Sequence, residues 1–173
     1  MLVAILSDSH DHIPNLDKAV TAANQADASF LIHCGDLISP FMLPILARFN
    51  GPVHLIYGNN AGDQHLISSR CGNLFPDIRH HGVQGTITVG PLRIGFIHYP
   101  ETAAGLAATG KYDVVCCGHN HRQGVERVGD CLIVNPGDLL GKDEPPGFML
   151  LDTADRSVRH IVVGERLRIP SSS

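Results

Sequence analysis

Short apolar runs that alternate with a helical repeat constrain the fold of this chain more than any other feature of its sequence. Leu2–Leu6, Ser29–His33 and Val53–Tyr57 are rich in Leu, Ile and Val, and each run ends at a polar loop. Such runs are typical of buried strands. Because helical segments separate them, we expect parallel strands joined by right-handed crossovers.

The helix after the first strand is predicted from the spacing of its apolar residues. Pro14 suits the first turn of a helix, and the apolar residues that follow it share one face. They are Leu16, Ala19, Val20 and Ala23. Further helices are expected over Phe41–Phe49 and Glu101–Thr109.

The second half of the chain predicts hairpins. Thr86–Val89 and Leu92–Ile97 flank the turn dipeptide Gly90-Pro91, as in an antiparallel pair. Other short strands are expected at Asp113–Cys117, Gly124–Val128, Cys131–Val134, Phe148–Asp152 and Val158–Val163. We therefore expect a second, mixed sheet packed on the first, in one domain over residues 1–165, with a frayed tail over residues 166–173.

Composition excludes several classes of protein. Hydrophobic residues make up 43% and charged residues 17% of the 173, so the chain is not of the disordered class. The net charge of −4 argues against general nucleic-acid binding. The N-terminal apolar run is too short for a signal peptide or a membrane span. The five cysteines are an odd number, so we expect reduced thiols in a cytoplasmic protein without a membrane role.

Polar residues follow five of the predicted strands. These loops are Ser7–His10, Cys34–Asp36, Tyr57–Asn60, Ile97–Tyr99 and Gly118–His121. In open α/β sheets, ligands bind beyond the carboxyl ends of the parallel strands, so the loops are expected to converge. Their carboxylate, amide and imidazole groups suit Mn²⁺, Fe²⁺, Co²⁺ or Zn²⁺ and disfavour a thiolate site.

Seven side chains in these loops are candidate metal ligands: Asp8, His10, Asp36, Asn59, His98, His119 and His121. Seven ligands are too many for one closed tetrahedral site, but they suffice for two ions that share a carboxylate. Asp36 is the expected bridge because it lies between the two groups in the chain and has two oxygens. Two ions about 3.5–4 Å apart can activate a bridging water and stabilise both oxygens of a displacement at phosphorus.

Each motif also has a simpler interpretation when it is taken alone. Asp8 could cap a helix and His10 could lie at the surface, while His98 could be a hydrogen-bonded core residue. The ordered set of loops favours the metal site. Seven other histidines are assigned no function: His12, His33, His54, His65, His80, His81 and His160.

A structural zinc site could combine Gly118–His121 with Cys116 or Cys117. The two cysteines point to opposite faces of a continuous strand, which disfavours that site. We therefore expect both of them to be core residues.

Taken in order, the motifs D-x-H, G-D, G-N-N, H and G-H-x-H resemble those of the calcineurin-like metallophosphoesterase superfamily, from Leu2 to about Val163. Asn135–Asp138 resembles the N-P-G-S segment of its small bacterial and archaeal members. The resemblance is strongest to the single-domain phosphodiesterases, which share their fold with a retromer scaffold subunit. It implies a four-layer α/β/β/α sandwich of two mixed sheets, with a site for two metal ions at one edge.

The resemblance also implies how the ligands divide. One ion would take Asp8, His10, Asp36 and His121, and the other would take Asp36, Asn59, His98 and His119. Mn²⁺ is expected first, with Ni²⁺, Co²⁺, Fe²⁺ and Zn²⁺ as alternatives. Asn59, Asn60 and His98 are the expected catalytic residues, with the two asparagines near the phosphoryl oxygens.

Three departures from the family pattern bear on catalysis. Asn60 stands where many members have a histidine that protonates the leaving group, and an amide cannot supply that proton. Ala61 replaces the usual aspartate, and Pro100 replaces the second histidine of the H-G-H motif. General acid catalysis contributes about 10²–10⁴-fold, so we expect a slow enzyme or one that needs leaving groups of low pKa.

The expected function is hydrolysis of a small phosphate ester, with diesters preferred because Arg122 is the only basic residue adjacent to a ligand loop. The alternative is a catalytically weak or inactive scaffold of the same fold, and a third reading is a one-ion structural zinc protein. The crevice is expected to be shaped by the loops Ser39–Met42, Ala61–Ser69, Tyr99–Ala104 and Leu139–Pro146. The natural substrate and self-association are left open.

Overall fold

The computed structural model describes residues 1–164, in which eleven strands form two mixed sheets. The strands are β1 (Leu2–Leu6), β2 (Phe30–His33), β3 (Val53–Leu55), β4 (Ile78–His80), β5 (Gln84–Val89), β6 (Leu92–Ile97), β7 (Val114–Cys116), β8 (Gln123–Val128), β9 (Cys131–Pro136), β10 (Gly147–Asp152) and β11 (Val158–Val162). The helices are α1 (Ile13–Gln25), α2 (Leu43–Leu46), α3 (Gln64–Arg70) and α4 (Pro100–Ala108), and a 3₁₀ turn (Pro40–Met42) leads into α2.

The first sheet has the strand order β11-β10-β1-β2-β3-β4. Strands β1 to β4 are parallel, β10 pairs antiparallel with β1, and β11 pairs antiparallel with β10. The second sheet has the order β5-β6-β7-β9-β8. Its central strands β6, β7 and β9 are parallel, and its edge strands β5 and β8 pair antiparallel as hairpins. The predicted parallel pairing of the first strands and the predicted hairpin that includes Thr86–Val89 and Leu92–Ile97 are both present.

Three apolar layers hold the sheets and helices together. Alternation along β1 shows the division, because Ala4 and Leu6 face the layer of α1 and α2 whereas Val3 and Ile5 face the second sheet. A third layer packs α4, through Ala103 among others, on the outer face of the second sheet. The result is the four-layer α/β/β/α sandwich that was expected.

The cysteines at the end of β7 illustrate the same alternation. Cys116 lies in the layer between the sheets and Cys117 lies in the layer beneath α4. Both are buried, as predicted for core residues. Their side chains point in opposite directions, which is the reason that a zinc site shared with the loop Gly118–His121 was disfavoured.

Three elements differ from the sequence-based expectation. Helix α3 occupies most of the segment 61–69 that was expected to be a loop, and Asp63 caps it by accepting from the Leu66 N–H at 2.9 Å. Strand β4 was not predicted because only Ile78 of its three residues is buried, which leaves no periodic signal. The helix expected over Phe41–Phe49 is shorter, since it reaches only Leu46.

The frayed tail predicted for residues 166–173 lies outside the described residues. In residues 1–164, no helix combines the length and the apolar character needed to cross a bilayer.

Candidate metal centre

The five predicted loops meet at one edge of the sandwich, where β1, β2, β3, β6 and β7 all end. Backbone hydrogen bonds join the loops of the first sheet, with Asp8 N–H donating to Gly35 O at 3.1 Å and His10 N–H donating to Asp36 O at 3.0 Å. The loops of the second sheet are joined through Gly118 N–H and His98 O at 3.0 Å. The site therefore takes residues from both sheets.

Five of the candidate ligands have a left-handed backbone. Positive φ angles occur at Asp8 (52°), His10 (43°), Asp36 (55°), His119 (73°) and His121 (59°). Each costs an L-residue about 1–2 kcal/mol. Strain of this kind concentrates at functional sites, where the surrounding structure holds it in place.

Two glycines allow the loops to approach the ligands closely. A Cβ atom on Gly58 would lie 2.0 Å from Asp36 Oδ1, and a Cβ atom on Gly118 would lie 1.9 Å from Ser7 Oγ. Neither position has a positive φ, so it is space that requires glycine here. At both positions any larger residue would collide with the side chains of the neighbouring loop.

The first cluster of donor atoms consists of Asp8 Oδ1, His10 Nε2 and His121 Nε2. His121 Nε2 lies 3.4 Å from Asp8 Oδ1 and 3.2 Å from His10 Nε2, and His10 Nε2 lies 3.7 Å from Asp8 Oδ1. Asp8 is fully buried, and its Oδ1 has no hydrogen-bond partner among the described residues. Its Oδ2 accepts from the Ser7 hydroxyl and from the His119 N–H. One carboxylate oxygen is therefore anchored and the other is free to bind a cation.

The second cluster consists of Asn59 Oδ1, His98 Nε2 and His119 Nδ1. Asn59 Oδ1 lies 2.9 Å from His98 Nε2 and 2.8 Å from His119 Nδ1. The other ring nitrogen of His98, Nδ1, lies 2.8 Å from the Cys34 carbonyl oxygen, which can only accept. In the neutral ring the proton is therefore on Nδ1, and Nε2 presents a lone pair to the amide oxygen of Asn59.

Asp36 lies between the two clusters. Its Oδ1 is 3.5 Å from His98 Nε2 and its Oδ2 is 3.6 Å from His10 Nε2, so one oxygen faces each cluster. Asn60 holds this carboxylate with two hydrogen bonds, from its backbone N–H to Oδ1 at 2.8 Å and from its side-chain Nδ2 to Oδ2 at 2.7 Å. The expected contact of Asn60 with a phosphoryl oxygen stays a prediction, because here its amide group faces Asp36.

The donor set fits divalent cations. All seven candidate side chains are brought together, and one aspartate spans two groups of oxygen and nitrogen donors. Asp8 and Asp36 are both buried, and two carboxylates in a protein interior are strongly destabilising without a compensating positive charge.

The charges of the site already act on one another. Burial opposes ionisation of Asp8, but the contacts with His10 and Ser7 outweigh it and hold the pKa of Asp8 below its usual value. The contact with Asp8 in turn raises the pKa of His10. The site therefore has a negative field that attracts cations, and protons compete with metal ions for His10.

Sequence reasoning missed two residues that support the ligands. Asp138 Oδ2 lies 3.1 Å from His121 Nδ1, and Asn135 Nδ2 donates to Gly118 O at 3.0 Å. Both belong to the segment that resembles N-P-G-S, but nothing in the local pattern placed it against the metal loops. The signal in the sequence that could have indicated this role is Asp138 itself, a charged residue that follows the apolar run Cys131–Val134.

One of the unassigned histidines also supports the site from below. His33 is fully buried at the end of β2, and its Nε2 lies 3.1 Å from Ser9 Oγ. Burial lowers its pKa to about 4, so the ring is neutral at physiological pH. It braces the loop between Asp8 and His10 without adding charge.

One exposed aromatic side chain borders the centre. Tyr99 contacts His98 and His119 edge-on, with ring centroids 5.3 Å and 4.8 Å away, and it remains 40% exposed.

Comparisons with known proteins agree with this geometry. Residues 1–156 match the calcineurin-like phosphoesterase superfamily domain. The chain is 31% identical to Phosphodiesterase MJ0936 of Methanocaldococcus jannaschii, over 94% of this chain and 99% of that protein. The structure is similar to that of an archaeal phosphodiesterase, with a TM-score of 0.86 and 30% identity over 94% of this chain and 99% of that one. Vps29 of Entamoeba histolytica shares the fold, with a TM-score of 0.66 and 22% identity over 93% and 97% of the two chains.

Proposed function

This chain belongs to the calcineurin-like phosphoesterase superfamily, and we propose that it is a two-metal phosphodiesterase that acts on small phosphodiesters. It is a hydrolase of phosphoester bonds, as its family and its phosphodiesterase relative indicate. The number of ions, the preference for diesters and the roles of individual residues are the proposal.

The observation that carries the proposal is that carboxylate and amide oxygens and imidazole nitrogens converge in the centre. His98 Nε2 faces Asn59 Oδ1 at 2.9 Å, and the buried Asp8 Oδ1 faces two imidazole nitrogens. Such an arrangement is stable when a cation lies between the lone pairs. Two such places, separated by the two oxygens of Asp36, support two ions.

The ligands divide as the family resemblance implies. Asp8, His10 and His121 would hold one ion with one oxygen of Asp36, and Asn59, His98 and His119 would hold the other. The ions, with Mn²⁺ expected first, would supply an activated water and neutralise charge on the phosphoryl group.

The chain's own residues orient the candidate ligands. The Cys34 carbonyl fixes the tautomer of His98, and Asn60 fixes both oxygens of Asp36. The side chain of Asn60 is an amide, so it cannot donate a proton to a leaving group. We therefore expect esters of acidic alcohols or phenols to react fastest.

The test is hydrolysis of bis(p-nitrophenyl) phosphate by metal-free protein reconstituted with Mn²⁺, Ni²⁺ or Co²⁺. Asp36→Ala and His119→Ala should fall to the rate of the chelated wild-type protein, since each removes a ligand. His65→Ala, at an exposed position on α3, is the matched control and should retain full activity. Unchanged rates in both ligand variants would end the proposal.

A scaffold is the second candidate. Ala61 and Pro100 depart from the catalytic pattern of the family. The fold is also shared with Vps29, which is not named as a phosphodiesterase. Metal analysis of purified protein together with the diester assay separates the two candidates. Two bound ions with turnover support the enzyme, whereas neither metal nor turnover supports the scaffold.

We also propose a compartment and a kind of substrate for the enzyme. All five cysteines are unpaired, and four of them are buried, which suits a reducing compartment such as the cytoplasm. Asn59 and His119 are exposed on the outer side of the centre, which suits a small substrate arriving from solvent.

A further inference from the structure

The segment Asn135–Leu139 contacts the ligand loops of both sheets. Asn135 Nδ2 donates to Gly118 O at 3.0 Å and to Asn120 Oδ1 at 2.9 Å, on the second-sheet side. The Leu139 N–H donates to Asp8 O at 3.2 Å, on the first-sheet side. These bonds fix the segment between the loops and bring the side chain at position 138 to His121.

The Asp138 carboxylate is buried, with only 4% of the residue exposed, and its two oxygens are engaged differently. Oδ1 accepts from the Gly141 N–H. Oδ2 makes no aligned hydrogen bond within residues 1–164, and the group within ion-pair distance of it is His121, whose Nδ1 is 3.1 Å away. A buried oxygen without a donor is unfavourable, so Oδ2 favours a proton on the nitrogen that faces it.

A proton on Nδ1 of His121 leaves the lone pair on Nε2. Nε2 is the atom that lies 3.4 Å from Asp8 Oδ1 and 3.2 Å from His10 Nε2, in the first cluster of donor atoms. We propose that Asp138 is a positioning residue that holds His121 in the Nδ1–H tautomer, so that Nε2 is available to a divalent cation. This inference rests on the proposed function at one point, since the proposed function assigns the bound cation to a phosphodiesterase.

The identity of the residue supports the inference. The family segment that Asn135–Asp138 resembles ends in serine, whose hydroxyl is neutral, and this chain has a carboxylate there instead. A carboxylate that accepts from the outer nitrogen of a ligating histidine fixes the ring and increases its basicity. The substitution therefore strengthens one ligand of one cluster.

The tautomer can be read directly from long-range ¹H–¹⁵N NMR of the imidazoles in metal-free protein at pH 7.5. In the wild type, His121 should be protonated at Nδ1. In Asp138→Asn the amide oxygen can keep the Gly141 N–H, which turns the amide Nδ2 toward His121 and favours the Nε2–H form. An Nε2–H tautomer in the wild type, or an unchanged Nδ1–H tautomer in Asp138→Asn, would overturn the proposal.

Metal affinity is the second readout. Mn²⁺ titration calorimetry should show a loss of about 10–100-fold in affinity at one of two sites in Asp138→Asn and in Asp138→Ser, the latter carrying the residue of the family segment. Asp143→Asn, an exposed carboxylate on the same loop, is the matched control and should change nothing. Unchanged affinity in both folded variants contradicts the role of Asp138.

The two proposals fail in different ways. Wild-type protein that has the Nδ1–H tautomer and binds Mn²⁺ but does not hydrolyse bis(p-nitrophenyl) phosphate contradicts the phosphodiesterase and leaves the role of Asp138 standing. Protein that hydrolyses the diester while the variants at position 138 keep full Mn²⁺ affinity contradicts the role of Asp138 alone.

Discussion

Single neighbours decide the chemistry of two histidines at the centre. His98 faces a backbone carbonyl through Nδ1, and His121 faces a carboxylate through the same atom. In both rings Nε2 is therefore the atom that faces the other ligands. The convergence of the candidate ligands was predictable from the loops after the strands, but these supporting contacts were not, since each joins residues far apart in the chain.

The buried His54, outside the centre, predicts how stability depends on pH. The His54 ring neighbours the rings of Phe30 and Phe96, with centroids 6.3 Å and 6.4 Å away, and its Nδ1 is 2.9 Å from Nε2 of His81. Burial, together with the charges of His81 and Arg79, lowers the pKa of His54 to about 4. In the unfolded chain the pKa returns to about 6.5, so the unfolded state binds more protons between these values.

The free energy of unfolding should therefore fall as the pH is lowered from about 6.5 to 4, by up to about 3 kcal/mol from His54. Urea denaturation of metal-free protein at several pH values measures this. His54→Gln should reduce the slope of the profile, with the contribution of His33 remaining, and His65→Gln, at an exposed position, should leave the slope unchanged. A profile with the same slope in wild type and His54→Gln would contradict the assignment.

At the scale of elements, prediction succeeded where the pattern was periodic. Helix α1 buries the four residues that shared one predicted face, and β1 has the predicted bounds. Helix α3 was missed because Ile67 is its only buried residue, so its amphipathic signal is weak. The convergence of the loops was predictable because parallel strands end at a common edge.

The close approach of β3's loop to Asp36 gives a prediction about metal binding. Gly58→Ala should abolish binding of at least one ion, because the new Cβ would lie 2.0 Å from Asp36 Oδ1 and 2.7 Å from its backbone N. Calorimetric titration with Mn²⁺ measures the loss. Full affinity in a folded Gly58→Ala protein would show that Asp36 can move without harm to the site.

Gly105 in the interior of α4 is the matched control for that change. A Cβ there meets nothing within 4 Å and the residue is exposed, so Gly105→Ala should leave metal binding intact. It should raise the free energy of unfolding by about 1 kcal/mol, because alanine loses less backbone entropy than glycine in a helix. Urea denaturation provides the measurement, and a destabilised variant would contradict the expectation.

At the scale of the whole molecule, the core does not depend on the centre. The three apolar layers include residues from every central strand of both sheets. The candidate ligands lie beyond the ends of those strands. The fold should therefore survive removal of the metal ions, in contrast to a structural zinc protein.

Chelation provides the test. EDTA should leave the far-ultraviolet circular dichroism unchanged and lower Tm by about 5–10 °C for each ion lost, the effect of losing one ligand present at about 100 times Kd. Asp36→Ala should show a smaller decrease on chelation, since it binds less metal. Cooperative unfolding on addition of EDTA at 25 °C would instead favour the one-ion structural zinc protein.

The centre takes its donor atoms from loops of both sheets, and this arrangement has a mechanical consequence. The apolar layer between the sheets resists their separation but has little directional preference against shear. A pair of ions at the shared edge, together with the hydrogen bond from the His119 N–H to Asp8 Oδ2, would restrain the sheets from sliding past each other. Amide hydrogen exchange at the interface of the two sheets should accordingly slow when the protein is loaded with metal.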